Sequence, residues 1–139
     1  MFNFRKKRQD PEVNPIIKAR STTKQTGDRG EDLAARWLQE RGWVILERNY
    51  TCKIGEIDII ARDGDFLVFA EVKTRNTKRF GTGREAVGYQ KQRKISAVAA
   101  FYCATHPKKS NAMRFDVIEC SVNPLECVEH IPGAFEISR

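Results

Sequence analysis

Nowhere does the sequence run to the roughly twenty consecutive apolar residues of a conventional membrane-spanning helix. It has no Cys-x-x-Cys pair, no internal repeat and no second linker, and these absences remove the usual zinc-ribbon and redox signatures. A convincing secretion signal is also missing. The first 25 residues mix apolar and basic side chains without a continuous apolar core or a small-residue cleavage site. What remains is a chain of 139 residues, 40% hydrophobic, enough for one core. A single soluble, cytoplasmic domain is the expectation.

Strong charge of one sign is lacking in most of the chain as well. The net charge is +7, but residues 1–25 hold seven basic side chains (Arg5, Lys6, Lys7, Arg8, Lys18, Arg20, Lys24) against Asp10 and Glu12. The remaining 114 residues carry 18 basic and 16 acidic groups and are nearly balanced. With Pro11 and Pro15 and no sustained period, residues 1–25 read as a flexible basic arm, and 26–139 as the folded domain. Such an arm suits salt-sensitive contact with phosphate backbones, or is simply a solvated tail.

Four cysteines stand at 52, 103, 120 and 127. Cys103 and His106, and Cys127 and His130, have the spacing of zinc ligand pairs. The second pair falls in a strand-like segment, where residues three apart point to opposite faces. Buried thiols in a reducing compartment are therefore the preferred reading.

DRGEDLAARWLQERG predicts an amphipathic helix starting near Thr26 or Asp28, with Ala34, Trp37, Leu38 and Arg41 at helical spacing and Gly42 as its stop. WVILERNY, GEIDIIARD and FLVFAEVK predict three strands, the last two joined by the turn signal Asp63-Gly64-Asp65. A basic, glycine-bearing loop follows. Then come a long helix from about Arg84 to about Thr105, the strand MRFDVIECS and a tail with one more short strand. FLVFAEVK is apolar on both faces, the mark of a central strand covered from each side.

Strand periodicity places Glu56 and Asp58 on one face of GEIDII, with Ile57 and Ile59 on the other. Glu71 and Lys73 share a face at the end of FLVFAEVK. Counting back from the hairpin turn sets Asp58 within a residue or two of Glu71. Charges gathered where an apolar surface ends are costly unless they are paired or hold a metal. Asp58, Glu71 and the carbonyl of Val72 suit a hard divalent cation, Mg2+ or Mn2+. Lys73 suits the attacking water or the charge of a phosphorane-like transition state. The alternative is an ion pair of Lys73 with Glu56 or Asp58 on an exposed sheet end. Two further charges interrupt apolar helix stripes: Glu31, three residues before Ala34, and Lys91, between Val87 and Ile95.

These segments, GDRGEDLAARWLQERGW, RNY, GEIDIIARD, VFAEVKTR, FGTGREAV, Lys91 and RFDVI, taken in order over residues 26–137, resemble the uncharacterised bacterial YraN-type family. That family is similar to the restriction-endonuclease-like PD-(D/E)xK superfamily, and in particular to archaeal Holliday junction resolvases. The resemblance implies an α/β fold with a mixed central sheet flanked by helices. It implies a catalytic set of Glu31, Asp58, Glu71, Lys73 and Lys91, with Gln90 assisting, and metal-dependent cleavage of DNA phosphodiesters on structured or branched substrates. A homodimer is implied by analogy. Arg75, Lys78, Arg79 and Arg84 flank this site and suit contact with a nucleic-acid backbone. A catalytically inactive nucleic-acid-binding module of the same fold is the alternative.

Overall fold

The computed structural model describes residues 15–75, 87–106 and 112–136, with side chains from Gly27 onward. It is an α/β protein with two helices and one mixed five-stranded sheet among these residues. The elements are α1 (Pro15–Glu40), β1 (Val44–Thr51), β2 (Glu56–Asp63), β3 (Phe66–Arg75), α2 (Tyr89–Thr105), β4 (Ala112–Ser121) and β5 (Cys127–Phe135). Lys78, Arg79 and Arg84 lie outside the described residues, as does most of the segment read as an arm.

Two helix limits differ from the sequence reading. α1 begins at Pro15, well before Thr26. Proline is well suited to a first turn, where its missing N–H would have no partner anyway. α2 begins only at Tyr89, because Gly88 is extended (φ −69°, ψ 169°) and its carbonyl accepts the first helical bond from the Gln92 amide at 2.9 Å. Val87, assigned to the helix by periodicity, lies just ahead of it and is buried all the same.

The strands lie in chain order, β1-β2-β3-β4-β5. β1, β2 and β3 form an antiparallel meander, with Asp63 opposite Phe66 across the turn. β4 returns parallel to β3, as a helical crossover permits. β5 closes the far edge antiparallel to β4. β3 is central, and its residues Leu67 to Glu71 are all buried.

α1 covers one face with Leu33, Ala34, Ala35 and Leu38 against Ile59, Ala61, Val68, Ala70, Ile118 and Cys120. α2 covers the other with Ile95, Val98, Ala99 and Tyr102 against Ile57, Ile60, Leu67, Phe69, Phe115 and Val117. Burying a side chain such as Leu38, which has no exposed surface, contributes about 1.5–3 kcal/mol. Gly30 sits where α1 crosses β3, and any Cβ there would run into the side chain of Thr74. Among the described residues no helix is long and apolar enough to cross a membrane.

One expectation about β2 fails in an informative way. Ile57 was placed on the same face as Ile59, yet Ile57 packs under α2 while Ile59 packs under α1. The alternation slips at Asp58, where the β2–β3 pairing stops: the last paired residues are Ile59 and Ala70.

Candidate active site

Beyond the last β2–β3 pair the Val72 amide finds no ladder carbonyl on β2. It donates instead to the side chain of Asp58, 2.8 Å from Oδ2. Strand separation thus turns a backbone hydrogen bond into a backbone-to-carboxylate bond, and draws Asp58 against β3. Glu71, one residue earlier, is 8% exposed. Its Oε2 takes the Lys91 ammonium at 2.9 Å and stands 3.7 Å from that of Lys73. α2 supplies Lys91 from its first turn and α1 supplies Glu31 from its middle. The five residues singled out in the sequence therefore come from four elements and meet at one end of the sheet.

Their electrostatics are uneven. Burial, reinforced by the negative charge of Glu71 and of Glu31, pushes the Asp58 carboxyl up to about 7, although the Val72 amide and Lys91 work the other way. Burial acts to lower the Lys91 ammonium, but its bond to Glu71 and the charges of Glu71, Asp58 and Glu56 outweigh that and raise it. The cluster holds more negative charge than its two lysines settle comfortably. A carboxylate that shares a half-buried place with two others is stabilised by any cation that enters.

The donors fit a hard cation in one way and not in another. No three His, Cys, Asp or Glu side chains among the described residues form a ready-made cage. Asp58, Glu71 and the Val72 carbonyl still offer the one or two carboxylates and the neutral oxygen that magnesium commonly accepts, its remaining positions being filled by water and phosphate.

Sequence reasoning missed the groups that hold these acids. Asn49 donates from Nδ2 to Glu31 Oε1 at 3.1 Å, from a backbone in the left-handed region (φ 55°). Arg48 pairs with Asp32 at 2.8 Å and reaches Glu31 at 3.7 Å. The segment RNY was noticed, but nothing in it announces that β1 lies over α1's polar turn. Glu119 was missed too. Its register partner on β3 is Lys73, and it is fully buried, with one oxygen 3.0 Å from Arg75 and the other without a partner among the described residues. Arg75, expected to face nucleic acid, thus spends part of its guanidinium on Glu119.

The remaining polar cluster lies elsewhere. Asp116, fully buried, accepts from Arg114 Nε at 2.9 Å, from the Gly133 amide at 3.0 Å, and contacts His130 Nε2 at 2.7 Å. Burial tends to raise its carboxyl, but these bonds prevail and hold it below the ordinary range. His130 also meets the rings of Trp37 and Trp43 edge-on. Arg114 and Asp116 thus form a structural ion pair on β4 that His130 and Gly133 of β5 enlarge.

The model of the uncharacterised protein family UPF0102 matches residues 30–120, a span from Gly30 in α1 through Glu71, Lys73 and Lys91 to β4. The chain belongs to the UPF0102 family. A UPF0102 protein of Syntrophus aciditrophicus is 49% identical over 114 residues, covering 81% of this chain and 90% of that protein. One from Caldanaerobacter subterraneus is 47% identical over 116 residues, covering 81% and 95%. One from Dictyoglomus turgidum is 42% identical over 115 residues, covering 81% and 98%. These UPF0102 relatives thus align over nearly their whole length, and the matched span includes every candidate acid and lysine of the site.

Proposed function

We propose that this UPF0102 protein is a restriction-endonuclease-like nuclease that hydrolyses DNA phosphodiesters with a divalent cation, Mg2+ or Mn2+, acting on structured or branched DNA. The observation that carries this reading is Asp58: a carboxyl pushed to about 7 beside Glu71 and Glu31, with Lys73 and Lys91 at hand. Asp58, Glu71 and the Val72 carbonyl would hold the cation. When bound, it would neutralise charge on the scissile phosphate and acidify water. Lys73 orients the attacking water or offsets charge as the phosphorus gains a fifth oxygen. Glu31, fixed by Asn49 and Arg48, orients water at the cluster's edge. Arg75, together with Lys78, Arg79 and Arg84 further along the chain, positions the phosphate backbone rather than reading bases.

The test is cleavage of junction, flap and linear DNA by pure protein in Mg2+ or Mn2+, alongside Asp58→Ala and Lys73→Ala proteins purified identically. The expected result is cleavage by the unsubstituted chain and its loss, by about a hundredfold or more, in both variants. Cleavage that survives both substitutions, or none on any substrate, refutes the reading.

One observation favours a second reading, a catalytically inactive nucleic-acid-binding module. The Lys91 ammonium, 2.9 Å from Glu71, already occupies a place a cation would want. That reading predicts DNA binding indifferent to EDTA and no Mn2+ uptake in calorimetry.

A further inference from the structure

Around the start of α2, the helix that carries Lys91, lies an open hollow of about 400 Å3, lined by Ile54, Tyr89, Gln90, Arg93 and Lys94. Its two walls come from the β1–β2 connection and the first turns of α2. Gly55 lets them approach, since a Cβ there would meet the Lys94 side chain at 3.2 Å. The lining is unusual for plain surface. Tyr89 is 64% exposed and Ile54 40% exposed, although neither gains from facing water. The Arg93 guanidinium lies 5.9 Å from the centre of the Tyr89 ring, and Arg93 and Lys94 form no ion pair with any described residue. A flat ring, an apolar edge and two cations without a carboxylate partner among the described residues thus stand together around the start of α2.

We propose that this hollow binds an unpaired nucleotide of a DNA strand whose backbone continues to the acidic cluster. The base stacks on Tyr89 and leans on Ile54, while Arg93 and Lys94 take the adjoining phosphates. Stacking on an aromatic face discriminates bases poorly and tolerates any sequence, but it demands a base free of its partner strand. A regular duplex offers only its phosphates to this surface. The inference deepens the nuclease reading, on which it rests for what the strand is delivered to: it makes single-stranded or splayed segments the preferred substrate. The chemistry of the hollow suits a phosphate-bearing strand, since the side chains that line it include two cations and no carboxylate.

The experiment measures fluorescence anisotropy of a labelled 20-nucleotide single strand and of the corresponding duplex, with the full chain in EDTA at low salt. Tyr89→Ala should weaken single-strand binding about tenfold and duplex binding far less, while Tyr89→Phe retains the ring and the affinity. Arg93→Ala with Lys94→Ala should weaken both and flatten the salt dependence. A single strand carrying 5-iodouracil should photocrosslink to Tyr89. Unchanged single-strand affinity in Tyr89→Ala, an equal loss on both DNAs, or crosslinks confined to other segments would each overturn the proposal. All three substitutions are at exposed positions, so circular dichroism should show an intact fold. If single strands bind and crosslink here but Mn2+ brings no cleavage, the hollow stands and the nuclease reading falls. If cleavage is strong and Tyr89→Ala leaves binding untouched, the reverse holds.

Discussion

Asn49 carries two demands at one position. Its backbone is left-handed at φ 55°, which costs most side chains roughly 1–2 kcal/mol and costs asparagine less. Its carboxamide steadies Glu31. Asn49→Gly separates the two, because glycine accepts that backbone and offers no amide. The variant should melt within about 1 kcal/mol of the unsubstituted chain yet bind Mn2+ several-fold more weakly. Asn49→Ala should lose both properties and be less stable by about a further 1 kcal/mol. Calorimetric titration of the two variants decides this: equal Mn2+ affinity in Asn49→Gly shows that Glu31 needs no such holding. At this scale the sequence was legible wherever a charge broke an apolar pattern. Glu31 and Lys91 stood out on their helix stripes, and Glu71 with Lys73 at the end of an apolar strand. Asn49 and Glu119 broke no pattern. Their roles depend on φ and on the β3–β4 register, neither of which leaves a local trace.

The contact of α1 with β3 sets how Glu31 reaches the sheet. Gly30 immediately precedes it and lies against Thr74, which is three residues past Glu71 on β3. Gly30→Ala should therefore cost about 1–3 kcal/mol by overpacking, despite alanine's better helix propensity. Removing the obstacle should restore it: in Gly30→Ala with Thr74→Ala, a double-mutant cycle from urea melts should show at least 1 kcal/mol of favourable coupling. Strict additivity of the two changes would mean that the helix shifts freely at this crossing. Whole elements were read well from periodicity and turn chemistry, as with the β2–β3 hairpin and the doubly buried β3. Helix starts were read poorly. The sequence pattern followed apolar contact, so it joined Val87 to α2 and missed the portion of α1 before Thr26. The slip at Asp58 was also invisible, because strict alternation assumes that a strand stays paired along its length.

Across the whole molecule, half-buried Asp58 and fully buried Asp116 make stability respond to pH in opposite senses. Asp58 titrates near 7 when folded and near 3.8 when unfolded, so between those values the folded chain holds the extra proton and loses stability as pH rises. Asp116 is depressed when folded, so its contribution is present above the ordinary carboxylate pKa and fades as pH falls below about 4. Thermal melts in EDTA should therefore place the contribution of this pair at its best at about pH 4. Asp58→Asn, which keeps an acceptor for Val72, should remove the loss toward pH 8, an effect on the order of 2–4 kcal/mol. Mn2+ should raise the melting temperature more at pH 8 than at pH 5. A melting temperature of Asp58→Asn that tracks the unsubstituted chain at every pH would show that Asp58 is not strained. The overall topology was partly legible: the helix between β3 and β4 permitted a parallel return. The tie of Asp116 to His130 was not, since it depends on β5, a strand weakly marked by its own residues. β5 and β1 have a further consequence as the sheet's two outermost strands. β5 carries Pro132, which has no amide to offer a neighbour, and β1 has a register slip between Ile45 and Glu47 and a left-handed Asn49. A sixth strand from another molecule would find neither border straight or fully hydrogen-bonding. Among the described residues, both borders of the sheet thereby resist edge-to-edge pairing with another chain.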